Sequence, residues 1–288
     1  MEYFIHLAIL VGIYAILGVS LNLVVGYSGL LSVTHAAFYG VGAYTAAILL
    51  TTYGFSFLPA LVIAVLVTGV VSFLIGLVLS RFGGDYYALG SFGFNIIVFS
   101  IFLNWQSVTR GPLGIPGIPR PEIFGLSFSD NTTFLGLVAV LALLTYLCAQ
   151  FITSSSFGRV LKAIREDEEA IQVFGYRTAY YKLVIFTLGA MMAAVAGVLF
   201  AVYITFIDPS TFGLPESIFI LSIIILGGLA NNKGAVLGAF FLILLPEALR
   251  FVGFPSDIAA QMRQVVYGLL LVILMLYRPQ GLVGEYKL

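Results

Sequence analysis

Two histidines, His6 and His35, and one thiol, Cys148, are the side chains best able to do covalent or metal chemistry in this sequence. Such chemistry needs them clustered, because a ligand set, or a nucleophile and its base, must converge within a few ångströms. Here the histidines stand roughly thirty residues apart with no carboxylate between them, and Cys148 lies alone in an apolar run. Neither HExxH nor GxSxG occurs. The stretch Asn231-Asn232-Lys233-Gly234 lacks the spacing and the hydroxyl of a phosphate loop, so ATP is not expected to bind by that route. No catalysis is expected.

The charged residues point instead to association. Thr153 to Lys182 contains no proline and holds five of the thirteen cations: Arg159, Lys162, Arg165, Arg177 and Lys182. Ser154-Ser155-Ser156 offers helix caps, and Phe157 to Phe174 reads as one helix closed by Gly175. Val160, Leu161, Ile164, Ile171 and Phe174 recur at helical spacing and form an apolar stripe. Opposite it, Lys162 with Glu166 and Arg165 with Glu169 stand at i,i+4 spacing. A lipid-surface helix favours a basic polar face, which Glu166-Asp167-Glu168-Glu169 contradicts. The stripe suits a groove on another protein, or the underside of the chain's own bundle.

What must position this helix is a membrane bundle. Of 288 residues, 61% are hydrophobic and 9% charged, with 13 charges of each sign, whereas a soluble surface uses about 25% charged residues. From Tyr3 to Ser80, 78 consecutive residues carry no Asp, Glu, Lys or Arg. The zero net charge argues against nucleic acid as a partner. Stretches such as Ala60 to Leu79 are apolar on all sides, which excludes the alternating strands of a barrel. The expected fold is all-α: a polytopic integral membrane helical bundle of about eight to ten segments, some broken or re-entrant. The segments lie near 4–25, 33–52, 57–80, 86–103, 132–152, 183–206, 216–230, 235–253 and 264–277, the first read as retained.

Residues 1–288 form a single transmembrane domain with two long polar intervals, 104–131 and 153–182. The first is rich in Pro and Gly, which favour turns and extended chain. The cation excess makes 153–182 cytoplasmic, which puts 104–131 outside and Arg81, Lys233, Arg278 and Lys287 inside. The N-terminus is outside if Leu30 to Leu50 crosses, and inside if that segment dips and returns. The Gly-interrupted segments near residues 26 and 227 are also a pointer to a broken-helix solute site.

The polar residues within the spans each have two readings. Asn22 and His35 either line a solute path or hydrogen-bond a neighbouring helix. Glu216, after Pro215 at a helix start, suits the positive end of the dipole better than a proton relay. Glu247 and Arg250, three residues apart, can neutralise each other. Gly40, Gly42, Ala43, Ala46 and Ala47 leave room for close helix packing or a passage.

The sequence resembles the LivM-type permease subunits of ABC importers for branched-chain amino acids. The resemblance rests on Gly26-Tyr27-Ser28-Gly29 with Ser32, His35-Ala36-Ala37-Phe38, Gly40 to Tyr44, and Arg110-Gly111 to Gly117. It continues through Ser156-Phe157-Gly158-Arg159, Ala163-Ile164-Arg165-Glu166, Glu169-Ala170, Gly175 and Lys182. Asp208-Pro209-Ser210, Leu226-Gly227-Gly228, Gly234, Gly238-Ala239 and Arg278 to Leu282 complete it, in order along nearly the whole chain. One departure is Pro112, where such permeases commonly carry a second glycine.

The resemblance implies that Arg159 to Gly175 is a coupling helix seated in a cleft of an ATP-hydrolysing subunit, with Arg159, Ala163, Arg165, Glu166, Glu169, Ala170 and Gly175 as its coupling positions. Asn22, Tyr27, His35, Gly40 and Tyr44 are the candidate solute-path positions. The implied partners are two ABC ATPase subunits that carry the ATP and Mg, a paralogous permease and a periplasmic or lipid-anchored solute-binding protein. This chain itself is expected to hold no cofactor, and its location is the prokaryotic inner membrane. The expected cargo is branched-chain or other small apolar amino acids. A urea or short-amide importer and an autonomous secondary carrier stand as alternatives.

Overall fold

A computed structural model describes residues 2–123 and 125–250, with backbone only at 246 and 248–250, and beyond them 265, 268, 269, 272, 273, 276 and 280–283. Among the described residues, five helices are long and apolar enough to cross a membrane. They are α1 (Glu2–Leu21) with a π-helical turn at Asn22–Gly26, α3 (Phe57–Leu79), α4 (Asp85–Asn104), α6 (Asn131–Ser154) and α9 (Thr178–Ile204). Twenty-three residues in α3 reach about 35 Å, enough for a bilayer core of about 30 Å. α2 (His35–Thr51) is shorter, and α10 (Leu214–Gly227) meets α11 (Asn232–Arg250) at a bend of 119°. Each of the first eight expected segments thus contains a helix; the ninth, 264–277, lies outside the continuously described residues, as does the tail Arg278 to Leu282 in part. The side chain of Arg250, expected to pair with Glu247, is also outside them.

Burial sorts the helices. In an apolar 18-residue stretch of each, 72% of the residues of α1 with its π turn and 61% of those of α9 are buried, against 17% in α6 and 28% in α4. The first two therefore form the centre and the last two turn Leu and Ile side chains outward to lipid, where apolar exposure carries no penalty. Close approach at the centre depends on small residues. A Cβ on Gly42 would stand 2.6 Å from Ala194 Cα, and one on Gly197 would collide with the Tyr39 carbonyl, so α2 and α9 meet backbone to backbone. The small residues of α2 serve packing.

Between α4 and α6 the chain forms the short helix α5 (Gln106–Thr109), a 3-10 turn and three two-residue strands: β1 (Ile115–Pro116), β2 (Glu122–Ile123) and β3 (Leu126–Ser127). β2 and β3 pair as a hairpin, and β1 pairs antiparallel with β4 (Phe206–Ile207), Ile115 opposite Ile207. Arg120 stacks over Phe134 and Tyr203 at 5.3 and 5.1 Å, pinning this loop to α6 and α9.

These contacts settle the direction of α1. His6 Nδ1 lies 2.6 Å from Tyr203 Oη, so α1 starts at the end of the molecule that carries residues 104–131. It finishes at the opposite end, where Gly26 meets Arg165 of the 153–182 interval. The chain then turns at Gly29, whose φ of +71° strongly favours glycine, and runs back without regular helix to His35. His35 Nε2 is 2.7 Å from Ser20 Oγ, six residues and about 9 Å up the axis from Gly26. Residues 29–34 and α2 therefore run together from the end that carries 153–182 to the end that carries 104–131, as an irregular half and a helical half, so the segment crosses the bundle and α1 begins on the same side as residues 104–131.

Candidate functional site

Residues 153–182 are not one helix. Ser155 caps α7 (Ser156–Glu166), its Oγ accepting from Gly158 N at 3.3 Å. Gly158 is required because a Cβ there would run into the Thr153 and Ile152 carbonyls. The helix stops at Asp167, whose backbone is extended (φ −154°, ψ 99°) and whose carboxylate accepts from Ala170 N at 2.9 Å, starting a new helix, α8 (Glu168–Val173). The expected single helix from Phe157 to Phe174 is corrected to two, because a short acidic side chain competes with the backbone for the next turn's N–H groups. Gly175 closes α8 as expected, at φ +88°, with its N–H donating to the Gln172 carbonyl at 2.9 Å.

The break also divides the apolar stripe. Leu161 and Ile164 are buried, and Phe157 stacks on Tyr181 of α9 at 5.1 Å. Ile171 is half-buried, but Val173 and Phe174 are 87% and 77% exposed at the tip, beside exposed Tyr176. One half of the stripe thus packs under the bundle and the other half faces outward, so both readings of the stripe hold in different places.

The coupling positions are spread over both helices. Arg159 donates to Ser156 Oγ at 2.7 Å and stays exposed, as do Glu166 and Glu169; Ala163 and Ala170 are half-buried. Arg165 donates to the Gly26 carbonyl, and Lys162 lies 5.5 Å from the Tyr27 ring. Glu168 pairs with Lys182 of α9. Arg165 of α7 therefore reaches the π turn of α1, and Lys162 the residue that follows it.

That turn leads inward. Asn22, fully buried, accepts at Oδ1 from Ala230 N at 3.0 Å and donates to Asn232 Oδ1 at 3.3 Å. Ala230 holds φ +59°, unfavourable for an L residue, and Asn22 satisfies its N–H there. Asn232 in turn donates to Gln150 at 3.3 Å. Arg165, Gly26, Asn22 and the corner between α10 and α11 form one connected path.

A second polar cluster lies deeper, where two helices begin inside the bundle. Ala36 N in the first turn of α2 donates to Ser217 Oγ in the first turn of α10 at 3.0 Å. Asn95 of α4 donates to that same Oγ and to the Val33 carbonyl, both at 2.6 Å, and Val33 N donates to Ser91 Oγ at 3.0 Å. Half-helix starts facing each other within a membrane create positive potential suited to an anionic solute group. Glu216, in the same first turn, accepts from Tyr14 of α1 at 2.7 Å, so beyond its place at the helix start it joins α10 to α1.

The five candidate path positions are all buried. His35 and Asn22 are hydrogen-bonded as above, and Tyr27 carries the Lys162 contact. Gly40 packs against Phe102 and Phe212, and Tyr44 stacks on Phe102 at 4.5 Å. The buried hydroxyls of Tyr39 and Tyr44 and the Asn95 carbonyl oxygen have no hydrogen-bond partner among the described residues. Ser217, Asn95 and Asn232 were not singled out as site residues by the sequence reading; an isolated Asn in an apolar run marks Asn95 and a Ser two residues after Pro215 marks Ser217, whereas Asn232, beside Asn231 and Lys233, carries no such signal.

Over residues 3–275 the chain matches the family described as branched-chain amino acid transport system / permease component. It is 37% identical to the high-affinity branched-chain amino acid transport system permease protein LivM of Escherichia coli K12, across 96% of this chain and 69% of that protein. It is 24% identical to the probable branched-chain amino acid transport permease protein LivM of Methanocaldococcus jannaschii, across 95% and 91%. To the E. coli K12 permease protein LivH it is 26% identical, across 94% and 91%. No solved structure matches.

Proposed function

The chain belongs to the branched-chain amino acid transport permease family, and from that premise we propose that it is the membrane subunit of an ATP-driven importer for branched-chain or other small apolar amino acids. It is a multi-pass membrane protein, seated on this reading in the prokaryotic inner membrane. ATP and Mg act on two separate ATPase subunits, a paralogous permease completes the pore, and a solute-binding protein delivers cargo from outside.

The observation that carries the reading is the α7–α8 pair: an exposed apolar tip at Val173 and Phe174, with α7 fastened through Arg165 to the Gly26 carbonyl. A partner cleft that grips the tip can move α7, and α7 pulls on the π turn and the corner between α10 and α11. Bundles respond to such a pull by rocking between packed states. The junction of Ala36, Asn95 and Ser217 is then the gate, opened when α2 and α10 part.

A second reading is favoured by one feature. The non-helical entry to α2 and the 119° corner between α10 and α11 are similar to the broken helices on which autonomous secondary carriers build their sites. Gentle solubilisation from the native host followed by mass spectrometry separates the two. Recovery of an ATPase pair and a second permease supports the importer; the chain alone, from detergent that preserves other complexes, overturns it.

A further inference from the structure

A pocket of about 330 Å³ lies at the cytoplasmic end, enclosed by residues 28–31, the turn before α4, the junction of α7 with α8, and the start of α9. Its wall carries two anions, Asp85 and Glu168, and two cations, Arg165 and Lys182. Leu30, Phe82 and Ile164 supply apolar surface between them.

The charge pattern selects a ligand. Glu168 and Lys182 are already paired and Arg165 also donates to the Gly26 carbonyl, so a simple anion or cation would meet as much repulsion as attraction here, whereas a molecule holding both charges a few ångströms apart can insert into the existing charge pattern with each end beside its opposite. A volume at the small end of ligand pockets, about 300–1,000 Å³, fits a single amino acid rather than a nucleotide, whose phosphates Asp85 and Glu168 would repel. We propose that this pocket binds a zwitterionic apolar α-amino acid from the cytoplasm, carboxylate toward Arg165 and Lys182, ammonium toward Asp85 and Glu168, and side chain against Leu30, Phe82 and Ile164.

The pocket's place gives the site a consequence. Its walls belong partly to the fixed bundle, at residues 28–31 and 82–88, and partly to α7 and α8. A ligand that bridges the two favours the arrangement seen here and opposes any state in which α7 moves away. Accumulated solute thus brakes its own import. This regulatory half rests on the importer reading; the binding half does not.

The test is calorimetry on the purified full chain in nanodiscs with three probes: L-leucine, isoamylamine, which lacks the carboxylate, and 4-methylpentanoate, which lacks the ammonium. Leucine is expected to bind about ten-fold more tightly than either analogue, and Asp85→Asn or Lys182→Gln to weaken it about as much. The thermal unfolding midpoint of Asp85→Asn in the same nanodiscs, unchanged from the parent's, shows that its lost affinity is not a lost fold. Equal binding of a singly charged analogue, leucine binding unaffected by Asp85→Asn, or no leucine binding overturns the site. In proteoliposomes holding the whole assembly, internal leucine lowers ATP-driven uptake, and the ratio of uptake with loaded to empty interiors rises toward one in Asp85→Asn. An unchanged ratio with binding abolished overturns the brake. Binding without any ATP-driven uptake by the assembly would instead overturn the importer reading while the site stands.

Discussion

The guanidinium of Arg165, on the first helix of the 153–182 interval, donates to the carbonyl of Gly26, in the π turn that ends the most buried span. An α-helical end leaves carbonyls without intrahelical partners, and the π turn presents one of them to α7. Two segments 139 residues apart are thereby joined.

Arg165→Ala is expected to uncouple the assembly. Hydrogen bonds to a charged group are worth about 1.5–3 kcal/mol, so its loss should cut ATP-driven uptake roughly ten-fold or more while the complex still hydrolyses ATP. Arg165→Lys, with a shorter reach and no fork, should recover little. Uptake and ATPase rates measured on the same proteoliposomes check this; a proportional fall in both would mean loss of assembly instead.

In and just beyond α8, Glu169→Lys and Gly175→Pro should each abolish uptake with the protein still inserted. Proline fixes φ near −65° and has no N–H, whereas Gly175 sits at φ +88° and donates to Gln172. Glu169 is exposed beside the apolar tip, so reversing its charge should disturb docking and leave the fold alone. Membrane fractionation and uptake assays are sufficient, and normal uptake by both variants would remove the coupling role.

Asn22→Ala should destabilise the chain itself. It leaves the buried Ala230 N–H without its acceptor, at a cost of about 1–3 kcal/mol. A lowered midpoint in a thermal unfolding scan in detergent is the expected result. Asn22→Asp keeps an acceptor for Ala230 and should lose less than Ala if the charge is neutralised there.

Gly42→Val tests the packing of α2 on α9. Even a Cβ stands 2.6 Å from Ala194 Cα, so the helices must separate, which overpacking data put at about 1–3 kcal/mol or more. Poor expression or a lowered midpoint is expected, and Ala194→Gly in the same chain should restore part of it. Full stability of the single variant would show that α2 and α9 can part freely at this level.

Much of this architecture is a property of the sequence alone. Hydropathy and the absence of charge over long runs act residue by residue, so the helical spans and the polar intervals between them follow from local sums. Gly175 and Ser155 are legible for the same reason, since a cap depends on its own φ and its nearest N–H groups. Asp167 was not, because within Glu166-Asp167-Glu168-Glu169 a helical surface and a new cap are close in local energy, and only the packing of Leu161, Ile164 and Phe157 against the bundle selects the break.

Tertiary structure alone decided the rest. That His35 begins a helix at the level of Ser20, that Asn22 serves Ala230, and that Ser217 gathers Ala36 and Asn95 are pairings across 15 to 208 residues. In a membrane each buried donor must find an acceptor within the protein, but local sequence does not say which. The choice is made by how the small faces of α2 and α9 let the backbones approach, and that packing also places the polar path from Arg165 to the corner between α10 and α11.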